Sequence, residues 1–134
     1  MFDVCVVGLG HIGLPTAALL ARAGMRVAGV DISPPVLAAL RHGEALIPEP
    51  GLTALVAGVV RDGSLVACEA VQPASTFLIT VPTPVREDHS CDLTSVIGAA
   101  EAVAGAVTAG ALVILESTVP RGTTAGAFAE VFAR

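Results

Sequence analysis

The sequence predicts an α/β domain built on a doubly wound parallel sheet, and three observations predict it. Short apolar runs rich in Val, Ile and Leu alternate with longer stretches that carry helical patterning. Hydrophobic residues make up 54% of the chain and aromatic residues only 3%, which suits a sheet buried on both faces under small-residue helices. With 134 residues the chain is long enough for a single domain with its own core. Right-handed crossovers between successive strands then make the sheet parallel.

The elements follow in order. "FDVCVV" (2 to 7) is a β-branched strand that runs directly into glycines, and "IGLPTAALLARAG" is the helix after it. Pro15 falls in its first turn, where a missing N–H costs nothing, and Gly24 is its stop. "RVAGVD" (26 to 31) is a second strand, followed by "SPPVLAALRHG", with Ser33 as N-cap, Pro34 at the first helical position and Gly43 as terminator. "EPGLTALVAGVVRDG" (49 to 63) reads as a helix, "SLVAC" (64 to 68) as a short strand and "TFLITV" (76 to 81) as a strong one. "DLTSVIGAAEAVAGAVTAG" (92 to 110) is expected to be a long helix capped by Asp92, and "ALVILES" (111 to 117) a further buried strand. No internal repeat, low-complexity tract or linker interrupts the pattern.

Charge and cysteine content exclude several functions. The net charge is −5, with seven Arg and no Lys, so no basic patch is expected for nucleic acid or an anionic membrane surface. Without Lys there is neither a Schiff-base residue nor a P-loop. Cys5, Cys68 and Cys91 show no metal or disulfide spacing and fit reduced thiols. No apolar run reaches membrane-spanning length and the first residues read as a strand, so a cytoplasmic location is expected.

Gly8, Gly10 and Gly13 fit G-x-G-x-x-G, and their context is specific: a strand before, a helix after, then a second strand ending in Asp31, eighteen residues past the last glycine. Gly8 would permit the tight turn, Gly10 the approach of a pyrophosphate and Gly13 close helix–strand packing, with the helix N-terminus holding the phosphates. Asp31 would accept hydrogen bonds from the adenosine ribose. A carboxylate there repels a 2′-phosphate, so a Rossmann fold binding NAD in preference to NADP is expected. "TVPTP" (80 to 84) and "ESTVPRG" (116 to 122) end the fourth and fifth strands and face the same crevice, where Thr83, Ser117 and Thr118 offer hydroxyls. Taken singly, each stretch is equally well read as a rigid turn.

"GLGHIGLPTA", "VDIS", "IPEPGL", "VPTP" followed by "DL", and "LESTVPRGTT" occur in the order found in the UDP-sugar 6-dehydrogenases, and the chain resembles that family over nearly its whole length. The "VPTP" and "LEST" wording is similar to the N-acetylhexosamine branch, and Glu116 stands where a Lys is usual in the UDP-glucose branch. The resemblance implies NAD-dependent oxidation of the C6 alcohol of a UDP-hexose or UDP-N-acetylhexosamine to a uronate, in a cytoplasmic enzyme that is a homo-oligomer at full length. It implies that His11 and Ile12 lie along the pyrophosphate, Asp31 on the ribose, Thr83 on the cofactor, and Thr118 near the nicotinamide and the catalytic water. It also implies that residues 1–134 are the NAD-binding domain, with the catalytic Cys, the central helix and the UDP-sugar-binding domain outside them, so this chain alone is expected to be inactive.

The remaining candidates have plainer readings. Cys91 follows "VPTP", but the carboxylates of "EDHS" raise a thiol pKa, so it reads as an incidental loop thiol and not as a nucleophile. Cys5 reads as core, Cys68 as strand-end packing, His42 as a partner of a helix C-terminus and His89 as part of a solvated loop. Two rivals remain: a free-standing NAD(H)-binding regulatory module, which has no need of "ESTVP", and a β-hydroxyacid-type dehydrogenase, which does not account for "IPEPGL".

Overall fold

The computed structural model describes residues 1–134. Its strands are β1 (Phe2–Val7), β2 (Val27–Val30), β3 (Leu65–Cys68), β4 (Ala74–Ile79) and β5 (Leu112–Leu115), parallel throughout in the order β3-β2-β1-β4-β5. The chain steps outward from β1 to β3, returns to β4 on the other side of β1, and steps outward again to β5. The doubly wound sheet is present, and its order reverses between β1 and β4. In such sheets the ligand crevice opens at that reversal, beyond the carboxyl ends of the strands.

Helices α1 (Gly13–Arg22), α2 (Pro34–Arg41) and α3 (Leu52–Arg61) pack on one face. On the other lie α4 (Thr94–Ala104) and α5 (Ala129–Phe132), the latter entered through a kinked segment, Thr124–Phe128, in which Gly126 leaves the helical region at φ −103°, ψ −111°. Strand alternation sorts the core into two layers. Val4, Val6 and Leu78 meet Leu14, Ala17, Leu40 and Val56, while Cys5, Val7, Phe77 and Ile79 meet Val96, Ala100 and Val103. Ala17 and Ala18 are fully buried, and their short side chains let α1 lie close to the sheet. Each fully buried Val, Leu, Ile or Phe contributes about 1.5–3 kcal/mol, so the two layers dominate stability.

Helix ends follow local chemistry. Gly24 ends α1 at φ +97°, a conformation that costs other L-residues a clash between Cβ and the carbonyl oxygen. Arg22, Arg41 and Arg61 occupy the last turns of α1, α2 and α3, where a cation faces the negative end of the helix dipole. No helix is long and apolar enough to cross a membrane.

Ser33 is the N-cap residue of α2, as expected, though its side chain makes no capping bond and Pro35 removes the second-position N–H that it could serve. Three expectations are corrected. The residue capping α4 is Leu93, and Asp92 acts one position earlier, accepting Thr94 N–H at 2.9 Å and Thr94 Oγ1–H at 2.6 Å. That helix stops at Ala104 and not at residue 110, since Gly105 and the small residues after it give weak helical propensity and little to bury. Finally, β5 is not a buried strand: Leu112 is 56% and Ile114 39% exposed, because β5 is the sheet edge and no helix covers that corner of the first face.

Candidate functional site

The glycine turn forms where β1 ends beside β4. Gly8 takes φ +97°, and a Cβ there would lie 2.7 Å from Thr80 O on the neighbouring strand end. Gly13, the first residue of α1, has even less room: a Cβ would sit well inside van der Waals contact of Gly8 O and 2.5 Å from Thr80 Oγ1. Gly10 differs from both, since a Cβ there would meet nothing within 4 Å. Two glycines are therefore fixed by the protein's own packing, and the third faces open space.

That open space carries the character of an anion site. The N–H groups of Gly10, His11, Ile12 and Gly13 take no main-chain partner, and α1 has no acidic residue in its first turn to neutralise the positive end of its dipole. His11 and Ile12 are exposed on the rim, Ile12 at 57%. Free donors at an uncompensated helix start, next to a position where only hydrogen fills the space, fit a dinucleotide's pyrophosphate.

Asp31 follows β2 directly, and its carboxylate reaches back to the turn. Asp31 Oδ2 accepts Leu9 N–H at 2.8 Å, and Oδ1 accepts Ser33 N–H at 2.8 Å. The acid thereby joins the glycine turn to the start of α2. Each carboxylate oxygen keeps a second lone-pair direction, so the group can also accept hydroxyls of a ribose.

The loops after β4 and β5 form the opposite wall. Thr83 Oγ1 donates to Thr118 O at 2.7 Å, and Ser117 Oγ donates to Val81 O at 2.8 Å. These hydroxyls are thus spent on tying the two loops together, leaving their oxygen lone pairs as acceptors. Thr118 itself is exposed, and its carbonyl is the group that Thr83 holds. The structure brings Gly8, Gly10, Gly13, Asp31 and the two loops to one edge of the sheet.

Sequence reasoning missed Thr80. Its Oγ1 donates to Gly8 O at 2.7 Å while its N–H donates to Val7 O at 2.9 Å, so it clamps the turn from the neighbouring strand. The available signal was its position: Thr80 is the first polar residue after the apolar run "FLI", beside Gly8 once Val7 is paired with Ile79.

The cysteines and other histidines lie elsewhere. Cys5 is fully buried in β1, and that burial pushes its thiol up to about 11. Cys68, half-buried at the end of β3, is raised by the same desolvation, and Arg41 opposes the rise. Cys91 pairs with Val85 in an isolated antiparallel bridge on the surface loop. Nδ1 of His42 lies 2.7 Å from Ala38 O at the end of α2, the helix-terminus role expected of it. Exposed His89 adopts φ +65° in the turn after Arg86.

Comparison with known proteins adds the following. The family model for the UDP-glucose/GDP-mannose dehydrogenase family, NAD binding domain, matches residues 2–134. A UDP-N-acetyl-D-mannosamine dehydrogenase from Campylobacter jejuni is 48% identical over 122 residues, which is 90% of this chain and 30% of that protein. The native structure of a UDP-N-acetyl-mannosamine dehydrogenase from Staphylococcus aureus superposes with a TM-score of 0.94 at 34% identity, over 98% of this chain and 32% of that one. A UDP-glucose dehydrogenase from the archaeon Pyrobaculum islandicum gives a TM-score of 0.89 at 36% identity, over 99% of this chain and 32% of that one. The chain spans about 30% of the length of the relatives it matches.

Proposed function

The chain belongs to the UDP-glucose/GDP-mannose dehydrogenase family as its NAD-binding domain, and from that premise we propose that it serves a dehydrogenase that oxidises the C6 alcohol of a UDP-sugar to a uronate. The observation that carries the reading is the join between the glycine turn and Asp31, the 2.8 Å bond from Leu9 N–H to Asp31 Oδ2 at the carboxyl edge of the sheet. It sets a phosphate cradle and a ribose acceptor side by side. NAD, when bound, supplies the hydride acceptor.

The residues divide the work. The turn at Gly8 and the close packing at Gly13 aim the N–H groups of Gly10 to Gly13 outward, and these hold the pyrophosphate, with His11 and Ile12 flanking it. Asp31 accepts the ribose hydroxyls and disfavours a 2′-phosphate by like-charge repulsion. Thr83 lies against the cofactor, and Thr118 stands on the nicotinamide side, where it positions the water that attacks the oxidised sugar carbon. Residues 1–134 act as one domain that binds NAD. The UDP-sugar, its reading residues and the catalytic thiol belong to other segments of a longer homo-oligomeric protein, which is consistent with the share of its relatives that the chain spans. Relatives that act on UDP-N-acetylmannosamine and the "LEST" segment favour an N-acetylhexosamine as the sugar.

The test is titration calorimetry of this chain with NAD, and NADH absorbance with UDP-glucose, UDP-N-acetylglucosamine and UDP-N-acetylmannosamine in turn. Binding of NAD without turnover is expected. Asp31→Ala should weaken binding by about 1–3 kcal/mol, the range for charge-assisted hydrogen bonds. Unchanged affinity in that variant would remove the ribose assignment, and turnover by the 134-residue chain would overturn the division between domains.

A further inference from the structure

We propose that Pro34 and Pro35 are specificity-determining residues: they strip the start of α2 of the donors that a 2′-phosphate needs, so NADP is rejected by two independent devices. The inference rests on the reading that Asp31 faces the adenosine ribose.

A helix N-terminus is ordinarily a ready anion site, because its first N–H groups have no intrahelical partner and its dipole is positive there. The start of α2 lies directly after Asp31, where a phosphate on the ribose 2′-oxygen would fall. Here the usual donors are gone one by one. Ser33 N–H is already committed to Asp31 Oδ1 at 2.8 Å. Pro34 and Pro35, at the first two helical positions, have no N–H at all. Of the first three helical positions only the third, Val36, keeps an N–H, and just before the helix Ile32 N–H is the one other main-chain donor without a partner.

Side chains do not make up the deficit. Ile32, between the acid and Ser33, is 99% exposed and wholly apolar. Ser33 offers one neutral hydroxyl. No cation occurs from residue 32 to residue 40, and Arg41, at the far end of the helix, is held by Glu69 at 2.9 Å. A dianion placed here would find few donors to replace the water it displaces. A single proline at the first helical position would be explained by its preset φ alone. A second proline is not needed for helix initiation, and its effect is to remove the next donor.

Asp31 and the prolines therefore act differently. The carboxylate repels the extra phosphate, whereas the prolines withhold a welcome. Neutralising Asp31 removes the repulsion, and Asp31→Ser also frees Ser33 N–H, but the first two helical positions stay without donors. Relief of charge alone should not produce an NADP binder.

The experiment measures NAD and NADP affinities by titration calorimetry for the native chain, Asp31→Asn, Asp31→Ser, and each of these combined with Pro34→Ala and Pro35→Ala. Alanine adds two N–H donors and no charge, and it favours the helix, so the comparison isolates the missing donors. Both single variants should lose NAD affinity and remain poor NADP binders. Adding the two alanines should raise the NADP-to-NAD affinity ratio about tenfold or more, in line with new charge-assisted bonds to phosphate. Equal ratios with and without the alanines would overturn the proposal. Unchanged NAD affinity in both Asp31 variants would instead overturn the ribose reading on which it rests. Using Asn and Ser in parallel keeps the result decisive if one replacement unsettles Leu9 N–H.

Discussion

Gly10 and Gly13 belong to one motif, yet they should fail in opposite ways when substituted. At Gly13 an added Cβ would press into Gly8 O, lie 2.5 Å from Thr80 Oγ1 and 2.9 Å from Gly8 C, and two of these three neighbours are main-chain atoms. Ordinary contact begins at 3.4 Å, so the turn must retreat. It has nowhere to go, because Gly8 is itself backed by Thr80 O. Overpacking of this kind costs about 1–3 kcal/mol, and rigid neighbours place Gly13→Ala near the upper end. The gain in helix propensity at a first-turn position offsets less than about 1 kcal/mol. A net loss of about 2–3 kcal/mol lowers the melting temperature of a domain this size by on the order of 10 °C. At Gly10 an added Cβ meets nothing within 4 Å and the backbone has no left-handed φ, so the effect of Gly10→Val on the unliganded fold should stay within about 0.5 kcal/mol. The substitution should nevertheless abolish NAD binding, since on the proposed assignment the isopropyl group fills the pyrophosphate's place. Circular-dichroism melts and calorimetric titrations of the two variants give a crossed result. A Gly13→Ala chain melting at the native temperature, or a Gly10→Val chain binding NAD undiminished, would refute the reasoning.

Two further outcomes are expected. Thr80→Val leaves buried Gly8 O without its hydroxyl partner, so it should cost about 1–3 kcal/mol of stability and weaken NAD binding, and Thr80→Ser should restore both, read by melting and titration. Burial raises the Cys5 thiol from an ordinary 9.0 to about 11, so between these values the unfolded chain releases a proton that the folded chain keeps. Stability from this group is intact below pH 9 and falls as pH rises toward 11; urea unfolding across that window should show the loss, and Cys5→Ala should flatten it.

Features with a local cause were legible in the sequence. The glycine turn, α1 with Pro15 inside its start and Gly24 at φ +97° beyond its end, and β2 ending in Asp31 each follow from a few adjacent residues. Features set by what packs alongside were not. "LVIL" is apolar at every position, so periodicity does not tell a central strand from β5, which lies at the edge and leaves Leu112 and Ile114 open. The end of α4 was blurred because "AGAVTAG" offers two glycines, and only Gly110 takes a positive φ. In the site, Thr83 was identified by residue type, but its bond to Thr118 O spans 35 residues, and the Thr80 clamp on Gly8 spans 72. No local pattern encodes such contacts.

The hydroxyls of Thr80, Thr83 and Ser117 each donate to a carbonyl of another segment, so the protein's own contacts tie the walls of the crevice together. Their consequence is kinetic. A dinucleotide arriving at such a surface docks into a shape that is already the prevalent one, so little of its intrinsic affinity is forfeited to recruiting a rare conformer. Arrival rates should then be similar for NAD and its close analogues, and discrimination should reside in how quickly each one leaves. Cutting one of these bonds changes which step suffers: the contacts to the ligand survive, but the waiting time for a competent crevice lengthens, and slow association takes the place of fast departure.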